Sequence, residues 1–339
     1  MDYTTREMIE AIEISNPMKR FFSATFFNVS HTHTAAKIEV DIKKGKRRMA
    51  PFVAPRVGGK VISRDGFTTN TFTTPKIAPE RIMTLDDITK RGLGENLYSK
   101  RTPEERADEL LSRDLNELDA SIENRKEWMA RELLFKGKID IVNADEGVDI
   151  QVDYNFTNNL VLSGSECWGA GGNILNDLRQ WRRDIIRKTG NAPDMLILAP
   201  DVAEVFTNDD TIKASMDILN LKNVVMEPKV VDSALTFLGK IAEIGIEVYT
   251  YDEWFINDDD EEESMIPDGT LLLINSKGVG SFEYGAVTIM EENDFVTYEA
   301  EKVPKIINDT KNEIKLIRMT SRPLPIPFDV DSWYTVQVI

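Results

Sequence analysis

The sequence is poor in the residues that most often carry chemistry, with one cysteine, Cys167, and two histidines, His31 and His33, in 339 residues. A single thiol excludes an intrachain disulfide and fits a reducing compartment such as a cytoplasm. Two histidines leave few candidates for a general base or an imidazole metal centre. Long apolar runs are missing too. Those at 195–199 and 271–274 fall far short of the roughly 20 residues that a membrane helix needs. The opening residues MDYTTREMIEAIE lack the basic start and apolar stretch of a secretion signal, so the chain is expected to stay where it is made. Positive charge is also short: 41 Lys and Arg face 58 Asp and Glu, for a net charge of −17. So acidic a surface repels phosphate backbones and anionic lipid, which argues against a nucleic-acid reader or a membrane-bound protein.

What is present is enough for a fold. With 41% apolar and 29% charged residues the chain has a globular balance, and its length accommodates two compact units joined by extended segments. The first 36 residues pass from a helix-like stretch at 5–14 to the pairs Phe21-Phe22 and Phe26-Phe27. Paired phenylalanines outside an amphipathic pattern need an apolar surface from elsewhere, which points to a docking arm. From Lys37 to Arg101 Thr, Val, Gly and Pro dominate, with prolines at 51, 55, 75 and 79. Short strands broken by turn residues predict an extended β-excursion here. Between Lys37 and Arg64 nine Lys or Arg meet two acids, a local net of +7 that leaves −24 for the rest of the chain.

A long helix is predicted next. Thr102 is placed as N-cap, Pro103 at the first helical position and Glu105 at capping-box spacing. Ala107, Leu110, Leu111, Leu115, Leu118, Ile122, Trp128, Met129, Leu133 and Leu134 recur on one face, and Gly137 is the stop. About 34 residues at 1.5 Å each make a rod of roughly 50 Å. A hairpin follows, Ile139 and Ile141 alternating against Val148, Ile150, Val152 and Tyr154 about the turn residues 144–147. Beyond it the pattern is mixed: a helix over 174–189 between Asn173 and Gly190, a buried strand over 194–199, and a short helix opened by Asp201 with Glu204. Strands are expected at 246–251, 270–274, 279–290, 295–303, 313–320 and 330–339.

No catalytic constellation emerges. His31 and His33 would share one face of a strand, as a metal site could use, yet no third ligand lies near them in sequence; polar residues of a mobile arm is the plainer reading. Cys167 has no neighbouring base and reads as an inert loop thiol. The glycines at 169–172 and 278–285 match neither a phosphate loop nor a dinucleotide fingerprint and read as turns and caps. Eight acids without a base from Asp252 to Glu263 lack the calcium-loop spacing and read as a solvated, mobile surface loop. Catalytic residues, metal and cofactor are therefore all expected to be none.

The order arm, β-excursion, long capped helix, hairpin, α/β unit is similar to the tailed-phage and herpesvirus capsid fold, the Johnson fold. Local sequence is more specific. MAPFVAPRVGGKVI at 49–62, FTTP at 72–75, LFKGK at 134–138 and above all PLPIPFDVDSWYTVQVI at 323–339 resemble the corresponding parts of lambda-type major capsid proteins, the phage major capsid protein E family. The resemblance spans essentially the whole chain and is loosest over 165–290; the acidic loop 256–264 departs from it.

The resemblance implies an α+β fold divided into an N-terminal arm (1–36), an E-loop with its flanking segment (37–101), a P-domain spine helix and hairpin (102–160), an A-domain (161–294), return strands of the P-domain (295–325) and a C-terminal strand (326–339). It implies a structural protein that assembles into hexamers and pentamers of an icosahedral shell around double-stranded DNA. Its partners would be copies of itself, a scaffolding protein, a portal and a decoration protein; it would assemble in a bacterial host cytoplasm and reside in the virion capsid. Because the E-loop of that family lies over a neighbour, the basic segment would meet an acidic surface, with Lys43, Lys44, Lys46, Arg47, Arg48, Arg56, Lys60 and Arg64 as intersubunit contact candidates. The spine helix would face the hairpin with its apolar stripe and keep its charges in solvent. The acidic residues 258–263 would sit on an exposed surface, since a ring of like charges buried at an axis repels. An encapsulin-like cargo shell, or an α/β enzyme with a ligand at a strand-to-helix crevice, remain as alternatives.

Overall fold

The structure is a computed structural model and describes residues 20–42, 68–89, 102–142, 149–217, 229–230, 234–258, 260–291 and 294–339. The capping box at Thr102 forms as the sequence predicts: Glu105 N–H donates to Thr102 Oγ1 at 3.3 Å and Thr102 N–H to the Glu105 carboxylate at 2.9 Å. The helix it starts runs through Pro103–Lys136, 34 residues. It stops at Gly137, whose φ of 69° only glycine adopts without strain. Space demands glycine there as well, because a Cβ would lie 2.1 Å from Cβ of Phe156.

The main core surrounds a seven-stranded mixed sheet. Its order in space is Asn159–Val161, Tyr334–Gln337, Thr270–Ile274, Met195–Leu198, Ile246–Tyr251, Leu235–Ile241, Lys229–Val230. The two apolar runs of the sequence take its centre: Met195–Leu198 pairs parallel with Ile246–Tyr251 and antiparallel with Thr270–Ile274. Leu196, Ile197, Leu198 and Leu271 through Ile274 are buried, as continuous runs must be in a sheet covered on both faces. The helix Ile174–Thr189, capped by Asn173 and stopped by Gly190 as predicted, adds Ile174, Leu175, Leu178, Trp181 and Ile185 to this core. A smaller core joins Leu115, Leu118 and Ile122 of the long helix to Met83, Ile317 and Met319. Those last three lie in an antiparallel sheet of Val303–Asp309, Ile314–Thr320 and Glu80–Thr84.

A third sheet sets Gly280–Tyr284 between Val29–Thr32, parallel, and Pro323–Pro327, antiparallel. The alternation Pro-Leu-Pro-Ile-Pro explains the last strand's place. Phe328 N–H donates to Val279 O at 2.8 Å and Gly285 N–H to Arg322 O at 3.0 Å, which fixes the bonded positions at the even residues. Pro323, Pro325 and Pro327 therefore turn away from the ladder, where no donor is required. On that far side Tyr154 O–H donates to Pro325 O at 2.7 Å. Among the described residues four two-stranded ribbons complete the set: Lys37–Ile42 with Thr68–Thr73, Lys138–Val142 with Asp149–Asp153, Trp254–Ile256 with Glu262–Ser264, and Val287–Glu291 with Asp294–Tyr298.

The α+β class expected from the sequence is the one observed, with local corrections. The stretch 279–290 is two strands, broken at Gly285, where Thr74 comes so close that a Cβ would lie 2.2 Å from its Oγ1. The stretch 295–303 divides between Asp294–Tyr298 and Val303–Asp309. A 3-10 turn at Val330–Ser332, held by the Asp329 carboxylate accepting from Asp331 N–H at 3.0 Å, precedes the last strand. The short helix starts at Pro200 with Ala199 as N-cap; the Asp201 carboxylate accepts from Val202 N–H and from Gly269 N–H at 2.7 Å instead. The paired phenylalanines find their apolar surface within the same chain. In the helix Phe21–Phe26, Phe22 and Phe26 are fully buried, Phe22 packing edge-on to Phe135 and Tyr251. The helix-like stretch at 5–14 and the turn 144–147 lie outside the described residues.

Candidate functional site

The long helix departs from the expected amphipathic rod in its second half. Asp119, Glu123, Lys126, Glu127, Arg131 and Glu132 are all buried rather than solvated. Burying charges is costly unless each is paired or fully hydrogen-bonded, and here each is held by an ion pair or, for Glu127, by hydrogen bonds. Lys126 Nζ lies 3.0 Å from both oxygens of Glu123, above the rings of Phe282 and Tyr284 at 5.1 and 5.5 Å. Lys302 reaches the same cluster, pairing with Asp119 and, at 2.7 Å, with Glu123. Burial alone raises the Glu123 carboxyl, but the two ammonium groups outweigh it and hold the carboxyl below the usual range.

One turn on, Glu127 holds the arm. It accepts from Phe22 N–H at 2.7 Å, Ser23 N–H at 2.9 Å and Ser23 O–H at 2.7 Å, the free donors at the start of the arm helix. Complete burial pushes its carboxyl above the ordinary value against those three bonds. The last turn is held by Trp333, whose indole N–H donates to Leu134 O at 2.9 Å, and by Thr335, whose hydroxyl donates to the same oxygen at 2.7 Å.

The described acidic residues, at 258 and 260–263, are exposed, as expected, but not as a free loop. They lie in the ribbon Trp254–Ile256 with Glu262–Ser264, which is docked on the long helix. Arg125 pairs with Asp258; Arg131 donates to Met265 O at 3.1 Å, approaches Glu263 at 4.0 Å and stacks over Phe255 at 5.4 Å. An open groove lies between helix and ribbon, with Trp128, Trp254 and Ile256 among its walls.

The eight basic contact candidates, Lys43, Lys44, Lys46, Arg47, Arg48, Arg56, Lys60 and Arg64, lie outside the described residues. The strands that bracket them are described and pair in register from Lys37 with Thr73 to Ile42 with Thr68, so the basic segment joins the far ends of a ribbon. His31, in the strand Val29–Thr32, and His33, one residue beyond it, both reach Glu283, His33 Nε2 at 2.6 Å and His31 Nδ1 at 3.9 Å. Among the described residues no group of three or more His, Cys, Asp or Glu could hold a metal. Cys167 is half-buried between two 3-10 turns, next to Trp168, whose indole donates to Asp177 at 3.1 Å. No described helix is long and apolar enough to cross a membrane.

Sequence reasoning missed Glu123, Lys126 and Glu127 as fold-defining residues, though a signal exists. The buried positions 115, 118, 122, 129 and 133 leave one gap in their three-and-four spacing, and Lys126 fills it. A cation on an apolar stripe announces a buried partner. Glu127's partners, by contrast, lie more than a hundred residues away along the chain.

The whole arrangement has known counterparts. The crystal structure of a prophage capsid protein of E. coli CFT073 superposes with a TM-score of 0.72 at 17% identity, covering 100% of both chains. A phage-related protein of Bordetella bronchiseptica gives 0.53 at 10% identity, over 93% of this chain and 90% of that one. In sequence, the major capsid proteins of Escherichia phages lambda and N15 are 23% and 22% identical, each across 99% of both chains. The fold is thus that of the tailed-phage capsid proteins, and a model of phage major capsid protein E matches residues 4–338. The chain belongs to the phage major capsid protein E family.

Proposed function

We propose that this chain is the repeating subunit of a phage or prophage head, assembling with copies of itself into hexamers and pentamers of an icosahedral shell around double-stranded DNA. The observation that carries this reading is the family match over residues 4–338, which takes in the arm, the long helix and the C-terminal strand together. The role is structural. The long helix suits it physically: a rod of roughly 50 Å buttressed by buried ion pairs transmits force between neighbours without bending. The division into arm 1–36, E-loop 37–101, P-domain 102–160 and 295–325, A-domain 161–294 and C-terminal strand 326–339 belongs to the same reading. So do assembly in a host cytoplasm, residence in the virion, and a scaffold, portal and decoration protein as partners.

The +7 segment between Lys37 and Arg64 lies over the acidic surface of a neighbour, steering encounter and fixing register more than adding affinity. Electron microscopy of the chain coexpressed with its adjacent head genes tests both statements. Rings, tubes or shells are expected from the wild type, and a strictly monodisperse monomer with catalytic turnover overturns the reading. Reversing Arg47, Arg48 and Arg56 together is expected to leave a folded monomer that no longer assembles. Normal shells from that variant sink the basic contact.

A further inference from the structure

The ribbon Val287–Glu291 with Asp294–Tyr298 stands apart: among the described residues its strands pair only with each other. Alternation gives it two unlike faces. Val287 and Ile289 are buried against Val303, with Tyr298 and Ala300 packed beside them. Thr288, Met290, Phe295 and Thr297 all turn outward and are exposed. The register sets Thr288 opposite Thr297 and Met290 opposite Phe295, so the four make one patch, with the two hydroxyls 3.0 Å apart. Phe295 is 78% exposed, the highest value among the exposed large apolar side chains, and Met290 is 51% exposed. A two-stranded ribbon is marginal in water, and a bare aromatic face on it marks a contact surface.

We infer that this outward face is a contact between copies of this chain, covered by a second copy in the assembled shell; the inference rests on the shell-subunit reading above. Charge identifies the occupant. Every copy carries −17, so copies that meet over their average surface bring like charges together. The four outward residues are all uncharged. The acids described at the ribbon's end, Glu291 and Asp294, fall on the other face by the same alternation, Glu291 accepting from Tyr298 O–H at 2.7 Å. Lys305 is held to Met290 O. Two copies can close over these four side chains without desolvating a charge, whereas a basic partner, the natural complement of so acidic a chain, finds no carboxylate among them to pair with.

The test places the photocrosslinker benzoylphenylalanine at position 295 of the full chain and irradiates assembled particles. The expected product is a species of twice the chain mass, with position 295 joined to a second copy, and it disappears when the particles are dissociated before irradiation. Adducts only within one chain, adducts to a different protein, or no adduct at all overturn the inference. As a second measure, Met290→Asp combined with Phe295→Asp is expected to lower particle yield about tenfold or more while the unassembled chain keeps its melting temperature. Wild-type yield from that variant overturns the inference and leaves the shell reading intact. Failure of the unaltered chain to form any particle overturns the shell reading itself.

Discussion

The two ends of the long helix are finished by different means. At the N-terminus, Thr102 and Glu105 satisfy each other's backbone donors within four residues of sequence, and 103–113 stay exposed or half-exposed. At the C-terminus, Gly137 N–H takes Leu133 O, but Leu134 O is taken by Trp333 and Thr335, 199 and 201 residues further along the chain. From Lys126 to Phe135 every residue except Trp128 is buried, charged ones included. One end is thus a property of its own sequence and the other a property of the completed fold. The first half behaves as a surface helix and the second as a core element with its polar groups individually matched.

Substitutions at the two ends should separate these regimes. The largest effect is expected from Trp333→Ala, which empties a fully buried site and removes a donor from Leu134 O; a loss of about 4 kcal/mol in denaturant unfolding is the expected outcome. A loss below about 1 kcal/mol would mean the tail merely rests on the helix. In the middle, Lys302→Met leaves Asp119 and Glu123 with one fewer cation and is expected to cost about 3 kcal/mol. That site also sets a pH dependence. Lys126 and Lys302 hold the Glu123 carboxyl below its ordinary 4.5, so its stabilisation is present above that pH and is lost as pH falls through the lowered folded value. Melting temperatures followed downward from neutral pH should show this acid loss in the wild type and a shallower one in Lys302→Met. The smallest effect is expected from Thr102→Ala, about 1 kcal/mol, the usual worth of an N-cap. An equally large loss at Thr102 and at Trp333 would erase the distinction between the two ends.

The same distinction governs what could be read from the sequence. Thr102, Gly137, Asn173 and Gly190 were legible because a cap depends on partners within a few residues. The buried strands Met195–Leu198 and Thr270–Ile274 were legible from their unbroken apolar runs. The docking of the acidic ribbon through Arg125 and Arg131 was not, since a run of carboxylates reads the same whether or not distant arginines meet it. Nor was the burial of Phe22 and Phe26, whose need for an apolar surface was evident but whose provider, here the chain itself, was not. At the candidate contact surfaces the sequence offered charge, which named the basic segment. It offered no comparable marker for the outward face of Thr288, Met290, Phe295 and Thr297, where an alternating run of five looks like any half-buried strand.

The strand Pro323–Pro327 has a further consequence for a protein that works crowded against copies of itself. Every free strand edge in such a crowd is a template on which a wrong neighbour can add, and unprogrammed growth competes with closure of a shell. Three prolines in alternate positions delete the donors that an added strand would need along that side, and Tyr154 occupies the carbonyl between them. The sheet therefore ends by chemistry as well as by burial, since all five residues of the strand are buried. Error suppression of this kind is written into the covalent chain, so it operates before any partner arrives.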